Sequence, residues 1–157
     1  MARVEGDIVI HRPVEEVFDF VADERNEPRY NPQMTKVELL TPEPIGSGTR
    51  FNADMSMLGR SIETTIEFTR YERPRLLASR SSSQPRDGRG KPMVTEGELT
   101  FSPVPQGTRM CWDWKVHTPG LLRAPAPIVG WMGRRQERRI WSELKRLLEQ
   151  GESSAAG

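Results

Sequence analysis

The sequence predicts an α+β domain in which an antiparallel sheet of about seven strands packs against a long C-terminal helix. Apolar residues alternate with a period of two through much of residues 35–117. A helical apolar repeat runs from about residue 124 to 150, and a shorter one follows the first predicted strand. The chain of 157 residues is long enough for one domain with a substantial core. We therefore expect a single domain over residues 1–150 and a flexible polar tail over residues 151–157.

The N-terminal segment predicts a strand followed by a short amphipathic helix. Residues 3–10 are rich in Val and Ile, which favour a strand. Pro13 suits a first helical turn, and Glu15 and Glu16 suit the positive end of the helix dipole. Four apolar residues follow at helical spacing: Val14, Val17, Phe18 and Val21. The polar stretch 24–32 contains two prolines and predicts a loop or a broken helical turn.

Turn residues divide residues 35–117 into about six further strands joined by hairpins. The clearest alternation lies at 61–69, where one face is apolar and the other is polar, so one face is buried. The strand near 76–82 is ambiguous, because either of its two faces could be the inner one. One face carries Leu76, Ala78 and Arg80, and the other carries Leu77, Ser79 and Ser81. The remaining strands place these residues inside: Phe51, Ala53, Met55, Met57, Ile62, Thr64, Ile66, Phe68, Met93, Thr95, Gly97, Leu99 and Phe101.

The last predicted strand, R-M-C-W-D-W-K-V-H at 109–117, carries unusual bulk on one face. Met110, Trp112, Trp114 and Val116 point to one side, and the polar residues and Cys111 point to the other. Two tryptophans and a methionine exceed what a small sheet needs to close a core. This pattern raises the hypothesis that they face a ligand, beside the alternative that they fill the core.

The C-terminal segment predicts a helix that lies on the sheet. Its apolar stripe contains Ile140, Trp141, Leu144, Leu147 and Leu148. Three residues without apolar bulk lie on the same stripe nearer the helix start: Gly130, Gly133 and Glu137. Trp131 and Met132 lie off the stripe, where we expect them to cap a cavity mouth or to pack on neighbouring loops.

Four segments carry a family resemblance: I-V-I-H-R-P-V-E-E-V-F-D-F-V-A-D at 8–23, N-P at 31–32, I-G-S-G-T-R-F at 45–51 and L-K-R-L-L-E at 144–149. In this order they resemble the polyketide cyclase/dehydrase branch of the START-like (SRPBCC, Bet v 1-like) superfamily, over about residues 3–150. The resemblance implies a helix-grip fold, in which a curved sheet wraps around the long helix and encloses a deep cavity. Tyr30 stands where many relatives have a tryptophan, which keeps a ring and adds a hydroxyl.

The implied cavity would be lined by apolar and aromatic side chains suited to a hydrophobic ligand. We expect the ligand-binding residues to be Tyr30, Phe51, Met55, Met57, Thr64, Ile66, Met93, Thr95, Met110, Trp112, Trp114, Gly133 and Glu137. The glycines would leave room for the ligand, unless Gly130 precedes the helix start. Glu137 would lie at the cavity floor, either titrating unusually or paired with an arginine such as Arg80. Tyr30 would supply a hydroxyl at the entrance or pack its ring on the helix.

Charge and composition exclude several other classes of protein. The net charge is +1, from 23 basic and 22 acidic residues, so no overall field marks a nucleic-acid binder. One cysteine and two histidines exclude an internal disulfide and zinc-type ligand spacing, so we expect neither a metal nor a cofactor. The N-terminus lacks the apolar run of a signal peptide, and no apolar run of about 18 residues occurs. We expect a cytoplasmic protein without stable membrane insertion; its oligomeric state stays open.

Three hypotheses for function follow. The first is binding of a small hydrophobic molecule, such as a lipid, quinone, polyketide or aromatic metabolite, in the cavity. The second, implied by the resemblance, is a polyketide cyclase or aromatase acting there, with Tyr30 and Glu137 as the candidate catalytic residues. The third is an interaction module for a partner protein or a membrane, supported by the basic run at 133–139, which otherwise forms a solvated face.

Overall fold

The structure is a computed structural model that describes residues 1–117 and 126–155, with side chains described for residues 1–117 and 130–151. Its elements follow in chain order: β1 (Ala2–Ile10), α1 (Val14–Ala22), a 3₁₀ helix (Glu24–Arg29), β2 (Met34–Leu39), β3 (Arg50–Met57), β4 (Arg60–Glu72), β5 (Leu76–Pro85), β6 (Met93–Val104), β7 (Gly107–His117) and α2 (Ala126–Ala155).

The strands form one curved antiparallel sheet in the order β1-β7-β6-β5-β4-β3-β2. β1 and β2 are the edge strands. β7 forms a hairpin with β6 and pairs with β1 on its other side. The concave face carries α1 and α2. This arrangement confirms the predicted α+β class, the seven strands, the short helix after the first strand and the long C-terminal helix.

The bounds of α2 differ from the prediction at its C-terminal end. α2 continues to Ala155, beyond the predicted helix end near residue 150. At the other end α2 begins at Ala126, which places Gly130 inside the helix; the predicted start near 124 lies outside the described residues. Within the described residues, no helix combines the length and the apolar character needed to cross a membrane.

The pairing of β5 with β4 shows which face of β5 points inward, which the sequence alone leaves ambiguous. Ser81 of β5 lies opposite Ile66, and Arg80 lies opposite Glu67, so the Leu77, Ser79 and Ser81 side faces inward. The register shifts between Phe68 and Arg70, and Leu77 and Ala78 are both buried beyond that irregularity. A shift of this kind explains why simple alternation left β5 undecided.

One end of the concave face is closed by a densely packed aromatic core. Phe18 of α1 makes edge-to-face contacts with Phe101 at 5.1 Å and with Tyr71 at 5.2 Å between ring centroids. Leu144 of α2 is fully buried in the same cluster as Phe18. The apolar faces of α1 and of the C-terminal half of α2 therefore cover this end of the sheet.

Two strand glycines make room for the two tryptophans of β7. A Cβ atom at Gly6 would lie 2.4 Å from the Trp112 ring, to which Gly6 is paired across β1 and β7. A Cβ atom at Gly97 would lie 1.9 Å from the backbone oxygen of Asp113 and 2.9 Å from the Trp114 ring. Glycine in a strand interior often marks such a close approach.

We predict that Gly97→Ala destabilises the protein by about 3 kcal/mol, because the new methyl group must displace backbone as well as the Trp114 ring. Urea unfolding followed by circular dichroism measures the change. Gly46→Ala is the matched control, since a Cβ atom there meets nothing within 4 Å, and its effect should stay within about 0.5 kcal/mol. Equal stability of the two variants would contradict the close approach at Gly97.

Candidate functional site

The two ends of the concave face differ in how well they are covered. At the closed end the inward-facing residues Phe51, Phe68, Leu77, Phe101 and Met110 are each at most 2% exposed. At the other end the inward-facing residues of the same strands stay partly exposed. This set, which we call the open end, comprises Met55, Met57, Ile62, Ser81, Ser83, Met93, Thr95, Trp114 and Val116. Inward-facing apolar groups that keep contact with solvent make the open end the candidate binding surface.

The chemistry of the open end is apolar with a few hydroxyl groups. Its methionines are unbranched and polarizable, so they can adapt to the shape of a bound molecule. Thr64 lies at its boundary and is 3% exposed. The Thr64 hydroxyl is 2.9 Å from the Ser83 hydroxyl and 3.3 Å from the Met55 sulfur. Thr64 therefore orients neighbouring side chains, whereas Thr95 is itself partly exposed.

A carboxylate held by two tryptophans forms the floor beside the open end. Oε2 of Glu137 accepts hydrogen bonds from Trp114 Nε1 at 3.2 Å and from Trp141 Nε1 at 2.7 Å. Trp141 lies one helical turn after Glu137 on α2, and Trp114 reaches it from β7. Of the two alternatives for Glu137, pairing with Arg80 does not occur, because Arg80 is exposed on the convex face of the sheet.

Burial perturbs the acid-base behaviour of this carboxyl group. Desolvation raises the pKa of Glu137 to about 7, and the negative charge of Glu27 adds to the rise, while the two indole hydrogen bonds oppose it. The predicted unusual titration of Glu137 therefore agrees with its surroundings. With a pKa near 7, the protonated and ionised forms are both populated at neutral pH.

Tyr30 packs on α2 and does not stand at an entrance. Its side chain is 3% exposed, and its ring centroid lies 5.9 Å from that of Trp141 and 6.2 Å from that of Phe20. Burial and the carboxylates of Glu27, Glu24 and Glu137 raise the pKa of the Tyr30 hydroxyl well above its usual value. Of the two alternatives for Tyr30, ring packing on the helix is the one observed.

Several predicted ligand residues belong to the closed core. Phe51, Ile66, Met110 and Trp112 are at most 6% exposed and lie in one buried cluster. The Trp112 ring lies 6.1 Å from that of Trp141, and its buried Nε1 has no hydrogen-bond partner among the described residues. Of these four side chains, Trp112 packs against Trp141, which donates a hydrogen bond to Glu137.

Gly133 permits close packing of α2 on the sheet. A Cβ atom at Gly133 would lie 2.9 Å from Cγ2 of Val4, so β1 occupies the space expected for a ligand. Gly130 is also buried, with the backbone oxygen of Arg3 3.9 Å from its ideal Cβ position. The expectation that Gly133 leaves room for a ligand is therefore wrong.

Four residues of the open end are absent from the ligand-binding set expected from the sequence. Ile62 and Val116 face inward by simple alternation, and that signal could have included them. Ser81 and Ser83 required the register of β5 against β4, which no local pattern provides.

The chain matches the family model described as polyketide cyclase / dehydrase and lipid transport over residues 1–149. A sequence search against curated proteins finds no match.

Solved structures similar to this chain share its fold at low sequence identity. A conserved protein from Geobacillus kaustophilus has a TM-score of 0.79 at 14% identity, covering 94% of this chain and 95% of that one. A START superfamily protein from Mycobacterium smegmatis has a TM-score of 0.72 at 16% identity, covering 96% and 99%. Ara h 8.0201 has a TM-score of 0.65 at 13% identity, covering 94% and 97%. With the family match over residues 1–149, this chain belongs to the polyketide cyclase / dehydrase and lipid transport family.

Proposed function

We propose that this protein binds a hydrophobic small molecule against the open end of its concave face. One observation carries the proposal: inward-facing apolar side chains are buried at one end of the sheet and remain partly exposed at the other. A ligand that removes about 200 Å² of apolar protein surface from water would gain about 5 kcal/mol from that surface alone. Family membership supports the same function, since the family description includes lipid transport.

The floor of the site favours a ligand with one polar group on an apolar body. Glu137 Oε2 is engaged by both indoles, while Oε1 makes no hydrogen bond within the described part of the chain. An ionised Oε1 accepts a hydrogen bond from a ligand hydroxyl, and a protonated carboxyl group donates one to a ligand carbonyl. A negatively charged ligand group would be repelled by the ionised form, so a neutral ligand fits this floor best.

A second candidate function is acid-base catalysis on a polyketide-like substrate bound in the same place. It is favoured by Glu137, whose pKa of about 7 suits a group that both donates and accepts a proton near neutral pH. Tyr30 supports it less, because its hydroxyl is buried and its raised pKa keeps it protonated. In this candidate function Glu137 is the catalytic residue and Tyr30 only supports Trp141.

We predict that Ser81→Trp lowers the affinity for a neutral lipophilic fluorophore, N-phenyl-1-naphthylamine, by at least about tenfold. Ser81 faces inward at the open end, so an indole there fills the proposed site. The measurement is a fluorescence titration of the probe. Ser82→Trp is the matched control, because the adjacent residue is exposed on the convex face and should leave the affinity unchanged.

The ligand proposal fails if wild-type protein does not bind the probe or if Ser81→Trp binds it as tightly as Ser82→Trp. Circular dichroism of both variants establishes that each retains the fold. A loss of affinity in both variants to the same extent would also contradict a site on the concave face.

We predict that Glu137→Gln removes a pH dependence of stability between about pH 5 and pH 8. The native pKa of Glu137, about 7, exceeds its usual 4.5, so the folded state holds the proton more tightly than the unfolded state. The stabilisation from this proton is complete at low pH and is lost as the pH rises through about 7. Glutamine stays neutral and keeps an acceptor for the indoles, so the variant should be more stable than wild type at pH 8 by about 1 to 3 kcal/mol.

Urea unfolding of both proteins at pH 5 and pH 8 measures this difference. The quantity compared is the change in stability of wild type minus that of the variant, which cancels the titration of other groups. An identical change in both proteins would show that Glu137 titrates normally.

A further inference from the structure

A second concave surface lies between α2 and the segment from Pro28 to Gln33, which leads from the 3₁₀ helix to β2. This groove has a volume of about 1060 Å³. Tyr30 and Ile140, both at most 8% exposed, form part of its floor. A side-chain hydrogen bond from Gln136 to Gln33 joins its two walls. We call this surface the α2 groove.

The α2 groove exposes unusual apolar area. Trp131 is 55% exposed and Met132 is 59% exposed, and both line the groove. The sequence led us to expect these residues to cap a cavity mouth or to pack on loops; in the structure they remain largely uncovered. Trp and Met are enriched at the cores of protein-protein interfaces, where they supply contact area.

Positive charge surrounds this apolar area on both walls. Arg135, Arg138 and Arg139 line the groove from α2, and Arg29 lines it from the opposite wall. Within residues 1–117 and 130–151, none of these four arginines forms an ion pair. Surface arginines elsewhere commonly do, as Arg3 does with Asp113 at 2.8 Å.

The remaining groove contacts leave this charge unbalanced. Arg135 lies over the Trp131 ring at 5.7 Å, and Arg29 lies over the Phe20 ring at 5.3 Å, so both guanidinium groups contact rings without being neutralised. The carboxylate of Glu143 lines the groove but is ion-paired with Arg146 at 2.6 Å. The groove therefore combines an apolar centre with arginines that form no ion pair among the residues whose side chains are described.

We propose that the α2 groove docks an acidic amphipathic helix of a partner protein. From Trp131 to Glu143 the groove follows α2 for about 18 Å, which matches about three turns of a second helix. Apolar residues of the partner would cover Trp131 and Met132, and its carboxylates would pair with arginines on both walls. This proposal does not rest on the ligand site, because it uses no residue of the open end.

The geometry favours a helix over other anionic occupants. A single lipid head group cannot neutralise cations placed on two opposite walls. A flat membrane surface cannot reach the floor between the walls formed by α2 and by residues 28–33. An occupant with an apolar stripe between two acidic edges meets both requirements.

The test uses a synthetic helical peptide of about 14 residues, with leucines on one face and glutamates on both edges, labelled for fluorescence anisotropy. The control probes are the same peptide with lysine in place of glutamate, and vesicles of phosphatidylglycerol and phosphatidylcholine. We expect the acidic peptide to bind, to weaken as salt rises from about 0.05 to about 0.2 M, and to bind more tightly than either control probe.

Variants locate the binding. The triple variant Arg135→Gln, Arg138→Gln and Arg139→Gln should lower the peptide affinity at least about tenfold, and Trp131→Ala should lower it to a similar extent. The matched control replaces the same number of exposed arginines elsewhere, at Arg50, Arg80 and Arg89, by glutamine. That control should leave the affinity within about twofold.

Four results would overturn the proposal. They are absence of binding by the acidic peptide, equal binding by the lysine peptide, equal weakening by both arginine triple variants, and tighter binding to anionic vesicles that depends on the groove arginines. The last result would assign the groove to a membrane surface. Urea unfolding of each variant tests whether the fold is retained, which we expect because the altered residues are exposed.

Discussion

The close contact between Gly133 of α2 and Val4 of β1 determines which part of the sheet is covered. A helix that lacks a side chain at this point can approach the β1 edge closely. This contact sets the position of α2 on the concave face. Leu144 and Trp141 reach the aromatic core at one end, where α1 adds Phe18. The other end keeps its inward-facing methionines partly exposed. The open end is thus a consequence of where the helix is held.

Glu137 connects the structural and the functional parts of this arrangement. Its carboxylate joins Trp141 of α2 to Trp114 of β7, so it holds the helix on the sheet at the boundary between the closed core and the open end. Burial of that carboxylate raises its pKa to about 7, which is a cost to the folded state at alkaline pH. Because this carboxyl group lies beside an apolar surface, it is available to orient the ligand that we propose for the open end.

Local patterns predicted most of the fold, and long-range contacts account for what they missed. Alternation correctly placed Met110, Trp112 and Trp114 inside, because side-chain direction in a strand depends only on parity. The inner side of β5 depended on its register against β4, and the contact of Glu137 with Trp114 depended on α2 meeting the distant strand β7. The sequence suggests space for a ligand at Gly133, because it does not show that Val4 lies against this position.

Ligand binding at the open end can be observed by methyl NMR of protein labelled at its methionine methyl groups. Met55, Met57 and Met93 lie at the open end, Met34 and Met110 are buried in the core, and Met132 lines the α2 groove. On titration with N-phenyl-1-naphthylamine, we expect shifts at the three open-end methyl groups and an unchanged Met132 signal. Shifts confined to Met132, or no shifts at the open end under saturating probe, would contradict it.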